Sequence, residues 1–241
     1  MKVSDRWWSE RLGCDLTVSR WGTWGVPVLL FPTAGGDADE VERGGLIDAV
    51  RPLLDAGRAK IYSCDSTAGQ ALVRREGSSD YRKALFNAYH QAVAAEVVPA
   101  IASDCGGPQP LVAAGASIGA FNAVALLCRY PHLVDAALGM SGTFDVDAMI
   151  GGSLTDDMYY ASPLHFLPGL AGEALDRLRG RTVVLASGTG DWEDISESWR
   201  MARLLGSKGV PNRVDDWGPG YPHDWATWHE MLPLYLDELL P

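Results

Sequence analysis

Residues 113–131 read AAGASIGAFNAVALLCRYP, and the fold turns on how they are understood. A lone serine, Ser117, stands between Gly115 and Gly119 in a run of small residues. Apolar PLVAA (110–114) precedes it, and a helix-like segment follows to about Tyr130. Gly115-Ala116-Ser117-Ile118-Gly119 spells G-x-S-x-G. That pattern reads either as a catalytic turn or as a glycine-rich connection from strand to helix. In a chain with 27 glycines the pattern alone does not choose between them.

The flanking sequence supports a strand-turn-helix. Short apolar runs alternate with longer helix-like stretches along the whole chain, the signature of a mostly parallel sheet covered by helices. VPVLLFP (26–32), AKIYSCD (59–65), PLVAAG (110–115), LVDAALGMSG (133–142), RTVVLASG (181–188) and NRVDDWG (212–218) read as strands. CDLTVSRW (14–21) reads as a strand that pairs antiparallel with 26–32 across a glycine-rich turn. Helices are expected over 46–57, ending at Gly57, over 80–102, over 119–130, over 196–209 and over 225–240, where Pro233 is placed to kink the last one. In 80–102, Tyr81, Leu85, Tyr89 and Val93 recur at helical spacing. Residues 144–172, rich in Gly, Pro and Asp, read as an irregular surface excursion near the top of the sheet. No internal repeat and no Pro/Gly/Ser linker divides the chain. Residues 1–241 are therefore expected to form one α/β domain with helices on both faces of the sheet and no large separate lid.

Composition excludes several function classes. A formal net charge of −11 repels phosphate backbones, and no basic run offers an exception, so nucleic acid is a poor partner. No apolar stretch approaches the ~20 residues that cross a bilayer. MKVSDRWWSERLG (1–13) lacks the apolar region of a signal peptide, so the cytoplasm is the default expectation. Cys14, Cys64, Cys105 and Cys128 show neither a C-x-x-C pair nor zinc-ligand spacing, and are read as reduced thiols. No metal or cofactor is expected. Nine tryptophans are enough to wall an apolar pocket as well as fill a core.

A serine placed between a buried strand and a helix projects its hydroxyl from a sharp, strained turn, and flanking glycines relieve the crowding there. The amide of Ile118 then lies at a helix N-terminus, where it can donate to a developing oxyanion. A serine hydroxyl needs a base within hydrogen-bond reach. Of five histidines, His90 lies inside a helix, His132 at a helix end, His165 in the excursion and His229 on the closing helix. His223 alone follows the last strand in a loop, at the edge where Ser117 is expected. A carboxylate to orient the imidazole is offered by Asp191, Glu193 and Asp194, all after strand 181–188. The order serine, acid, histidine is that of α/β-hydrolases. A second oxyanion donor is expected from Thr33 or Ala34 in PTAGGD (32–37), which lacks the Gly-Lys-Ser/Thr of a phosphate cradle. Trp192, Trp225 and Trp228 are candidates to line or buttress the site, with packing the commoner role for each, and Trp192 and Trp225 are the candidate substrate contacts.

Four blocks together resemble the esterase D-like and mycolyltransferase-related group of the α/β-hydrolase superfamily. They are PVLLFPTAGGD (27–37), GASIGAFNAVALLCRYP (115–131) with MSGTFD (140–145), SGTGDWEDISESWRMARLLGSKGVPNRVDDWGP (187–219), and HDWATWHEMLPLYL (223–236). The resemblance implies a serine carboxylic-ester hydrolase with Ser117 as nucleophile, His223 as base, no cofactor and a small-molecule ester as substrate. It favours Glu193 over Asp191 as the acid and sets Asp194 lower. Ile118 departs from the commoner Met, Phe or Leu of that turn. An acyltransferase with the same residues, or a non-catalytic binding protein on the same scaffold, are the alternatives. Acyl and alcohol specificity and oligomeric state are not legible.

Overall fold

The computed structural model describes residues 2–241, and its sheet has eight strands: β1 (Lys2–Ser9), β2 (Cys14–Trp21), β3 (Val26–Phe31), β4 (Ala59–Cys64), β5 (Val112–Ala116), β6 (Ala136–Met140), β7 (Thr182–Gly188) and β8 (Asn212–Gly218). Their spatial order is β1-β2-β4-β3-β5-β6-β7-β8. From β4 to β8 every pairing is parallel, while β1–β2 and β2–β4 are antiparallel. The carboxyl ends of β3, β5, β6, β7 and β8 therefore open on one rim. The chain reverses its direction of travel across the sheet between β3 and β5, which is where open α/β sheets bind ligands.

Side chains alternate across the sheet as a pleated strand requires. Val28 and Leu30 enter one core with Ala114, Ala116, Leu138, Met140, Val184 and Ala186. Leu29 and Phe31 enter the other with Ala113, Ala137, Val183 and Leu185. The first core is closed by Leu46, Ile47, Trp228, Met231 and Leu236, the second by Phe86, Tyr89, Phe121, Val124 and Met201. Both faces are thus covered by helices, which is why these parallel strands carry near-continuous apolar runs.

Several expectations change. The antiparallel partner of β2 is not β3 but β1 on one side and β4 on the other. Strand β1 is the charged edge KVSDRWWS, whose weak apolar alternation gave no strand signal. The segment 144–172 is not a loose surface excursion. It forms helices Val146–Ile150, Asp156–Ala161 and Pro163–Phe166, and buries Phe144, Val146, Met158, Ala161, Phe166 and Leu167. These helices are too short to show a period. They rest on caps, Asp145 accepting from the Ala148 amide and Thr155 from the Met158 amide, each at 3.2 Å. The expected helix over 46–57 is divided into Leu46–Ala49 and Arg51–Asp55, because Pro52 has no amide to continue the ladder.

The helix expected over 80–102 runs as Ser79–Ala92, a wide turn Val93–Val97 and Val98–Asp104. The wide turn stands just before Pro99, whose missing amide breaks the regular pattern. The closing helix Trp225–Leu239 passes through Pro233 without ending.

Candidate active site

Ser117 joins β5 to the helix Ile118–Arg129 with φ 58° and ψ −122°, a conformation that costs on the order of 1–3 kcal/mol for a residue with a side chain. The two glycines of the motif explain why the turn closes. A Cβ on Gly119 would stand 2.6 Å from the carbonyl oxygen of Phe31, and one on Gly115 would collide with the backbone of Gly119. The helix start therefore rides directly on β5 and on the end of β3. The Ser117 amide donates to the Met140 carbonyl at 3.0 Å, and its own carbonyl accepts from Ala120 and Thr143 at 3.1 and 3.3 Å. Ile118, as first helical residue, has an amide without an intrahelical acceptor.

His223 lies between β8 and the closing helix. Its amide donates to the Asp191 carbonyl at 2.9 Å, which ties the β8 loop to the β7 loop. Its Nδ1 faces Glu193 Oε2 at 3.6 Å. That distance allows electrostatic attraction short of a hydrogen bond, and contacts of this kind tighten when substrate binds. The Glu193 side chain is 1% exposed and the imidazole 23%. No Lys or Arg pairs with Glu193. Its Oε1 accepts from the Ser141 hydroxyl and its Oε2 from the Ser187 hydroxyl at 3.0 Å. The imidazole ring meets the indole of Trp228 edge-on, with centroids 5.2 Å apart.

The other carboxylates of that loop stand elsewhere. The Asp191 side chain is exposed, and that residue meets His223 only through its backbone carbonyl. Asp194 caps the helix Ile195–Ser207 by accepting from the Ser196 amide at 3.0 Å. Of the two amides expected to serve an oxyanion, that of Thr33 is already engaged. It donates to Glu40 Oε2 at 2.7 Å, and the Thr33 hydroxyl donates to Oε1 of the same carboxylate at 2.9 Å. Ala34 follows it in the same turn.

The two tryptophans expected to contact substrate differ. Trp192, at φ 64°, is 93% exposed and stands on the wall of an open cleft of about 430 Å³ whose lining includes Ser141, Met149, Glu193 and His223. Trp225 instead packs over Gly44, where no Cβ would fit, and against Trp228 at 5.1 Å.

The remaining histidines have structural partners or lie at the surface. His90 is buried against Asn122 Oδ1 at 3.0 Å, and burial pulls its pKa down to about 4. His165 pairs with Asp147 at 3.3 Å, His229 bonds the Gly44 carbonyl at 2.5 Å, and His132 is exposed. All four cysteines are free, and burial pushes the Cys64 thiol up to about 12. Among the described residues no cluster of three His, Cys, Asp or Glu could hold a metal, and no helix is long and apolar enough to cross a membrane.

Ser141 and Ser187 escaped the sequence reading. A signal was present: adjacent strands β6 and β7 run out in Met140-Ser141-Gly142 and Ala186-Ser187-Gly188, at the rim that carries Ser117.

No family model matches the sequence, and no curated protein matches it significantly. Solved structures do. A ferulic acid esterase superposes with a TM-score of 0.73 at 19% identity, over 98% of this chain and 96% of its own. The MPT51 (FbpC1) protein of Mycobacterium tuberculosis gives 0.69 at 17%, over 95% and 94%. This chain has the α/β-hydrolase fold. The S-formylglutathione hydrolase of Staphylococcus aureus shares it at 0.64 and 15% identity, over 98% of this chain and 95% of its own. At these identities the likeness covers the fold from end to end. Two of the three are named as an esterase and a hydrolase, in accord with the esterase group that the sequence resembles.

Proposed function

We propose that this chain is a serine carboxylic-ester hydrolase that takes small-molecule esters. The observation that carries the reading is the pairing at the rim: a buried carboxylate, Glu193, faces Nδ1 of His223 in the loop after β8, while Ser117 is held in a strained turn at the end of β5 on the same rim. With Nδ1 directed to Glu193, Nε2 is the nitrogen left to serve Ser117.

In the forward step Nε2 of His223 takes the Ser117 proton as Oγ bonds the ester carbonyl carbon. The carbonyl electron pair moves onto oxygen, and Glu193 stabilises the imidazolium. The amides of Ile118 and Ala34 receive that oxyanion, since the Thr33 amide is held by Glu40. Losing one such donor typically costs ~2.7–4 kcal/mol of transition-state stabilisation. Collapse expels the alcohol, which takes the proton from His223. Water then attacks the acyl-serine by the same route, releasing the acid and restoring the hydroxyl. Side chains, backbone amides and water supply every step. Trp192 offers an apolar face to the substrate at the cleft wall, and Trp225 buttresses Trp228 from behind.

Two measurements test the reading: hydrolysis of p-nitrophenyl esters of graded acyl length, and labelling by a fluorophosphonate. The expected result is turnover of at least one ester, with a label that maps to Ser117 and is lost in Ser117→Ala. Folded protein that neither turns over any ester nor takes the label would overturn it in favour of a binding protein. Product diverted to an added alcohol in preference to water would replace hydrolysis by acyl transfer.

A further inference from the structure

We infer that Ser141 and Trp228 are positioning residues that act together through Glu193 on His223. The inference rests on the hydrolase reading above and extends it to two buried residues that meet the carboxylate and the imidazole.

An indole N–H can only donate. Trp228 Nε1 donates to Ser141 Oγ at 2.9 Å. The hydroxyl of Ser141 has one proton, and its acceptor is Glu193 Oε1. The chain of donors therefore has one direction, from Trp228 through Ser141 to the carboxylate, and no hydroxyl rotation can reverse it without stranding the indole N–H. Trp228 is 4% exposed and Ser141 1%, so water does not substitute freely for either partner. Glu193 has hydroxyls where a buried carboxylate would more often have a cation. Ser141 fixes Oε1, which leaves Oε2 turned toward His223 Nδ1.

Two further features converge on the same pair. Ser141 has φ 48°, a left-handed conformation unfavourable for a residue with a side chain and retained only where the surroundings demand it. Its amide donates to the Ala186 carbonyl at 2.7 Å, fixing the turn from which the hydroxyl reaches Glu193. Trp228 also presents its ring edge-to-face to the imidazole, at an interplanar angle of 84°. One side chain on the closing helix thus sets the acid through its N–H and supports the base through its ring.

The test is a double-mutant comparison. Ser141→Gly removes the hydroxyl in a residue that accepts positive φ, and Trp228→Phe removes the N–H while keeping a ring. Each is made alone and with Glu193→Gln, and kcat and KM for a p-nitrophenyl ester, the rate of fluorophosphonate labelling and the melting temperature are measured. Each single variant is expected to lower kcat and labelling about ten- to a hundredfold, the scale of a catalytic group misplaced by up to an ångström. KM should stay within about twofold, as for an interaction felt mainly in the transition state. The loss should largely vanish in the Glu193→Gln background, because the relay then has no carboxylate to serve. An equal loss in both backgrounds would mean a merely structural role and would overturn the inference, as would a folded Ser141→Gly with unchanged kcat. If Ser141→Gly does not fold, Trp228→Phe decides by the same criteria. A wild-type protein without turnover or label would sink the hydrolase reading and this inference with it. An active wild type with unresponsive variants sinks the inference alone.

Discussion

Two carboxylates are withdrawn from water in different parts of the molecule, and they are treated in opposite ways. Asp147, on the short helix Val146–Ile150, meets the ammonium of Lys83 at 2.6 Å, and that lysine is wholly buried and also donates to the Ser153 carbonyl at 2.7 Å. Glu193 meets only hydroxyls and an imidazole. A permanent cation neutralises its partner and ties two segments together, here the helix Ser79–Ala92 and the segment 144–172. In the proposed mechanism Glu193, held by hydroxyls, is the group that stabilises the imidazolium formed as Ser117 loses its proton. On the proposed reading the difference separates a carboxylate placed for architecture from one placed for chemistry; the Asp147 side chain is 17% exposed and that of Glu193 1%.

That contrast is sharpest under substitution. Glu193→Gln should lower kcat by about 10³–10⁴-fold while leaving the melting temperature nearly unchanged, because the amide keeps the shape but not the charge. Asp191→Asn, one turn away and exposed, is the internal control and should leave steady-state kinetics unaltered. Comparable losses in both would erase the distinction drawn for Glu193. Lys83→Met should do the reverse. Leaving Asp147 without its buried partner costs about 3–5 kcal/mol of stability, read by chemical denaturation, with kcat per folded molecule retained. A stable Lys83→Met would show that the pair is not what anchors the segment.

A smaller effect concerns His90, the buried counterpart of His223. Burial holds its pKa near 4, against 6.5 for the free side chain, with Asn122 bonded to it and the Arg129 charge also disfavouring its cation. The folded state thus binds this proton less readily than the unfolded chain. The stability it supports is complete above pH 6.5 and declines as pH falls toward 4, by about 3 kcal/mol at most. Denaturation curves across that interval should flatten in His90→Gln, and an unchanged slope would assign the acid sensitivity to other groups.

The architecture was legible where burial imposes a pattern. Val28–Phe31 and Val183–Ala186 can only be interior strands, and the glycines around Ser117 marked its turn. Strand β1 was illegible because its partners are exposed ion pairs such as Arg6–Asp15 and Arg20–Asp5, which leave no apolar rhythm. The site was legible as far as chain order and residue type reach: Ser117, His223 and the acidic loop. Singling out Glu193 needed the family resemblance, and its place against His223 depends on how the β7 loop turns. Ser141 and Ser187 depend on register. They become neighbours because Met140 lies opposite Ala186 across β6 and β7, which no single stretch of sequence records. The engagement of the Thr33 amide was hidden for a similar reason, since Glu40 folds back on the loop from the following helix.

The backbone from Met140 to Thr143 grips two elements through three bonds: the Ser117 amide donates to the Met140 carbonyl, the Thr143 amide donates to the Ser117 carbonyl, and the Ser141 amide donates to Ala186 of β7. Ser117 and the hydroxyl that bonds Glu193 therefore share one clasp rather than resting on separate supports. Fluctuations that open the rim have to release both together, so the local exchange of these amides with solvent belongs to a single cooperative unit.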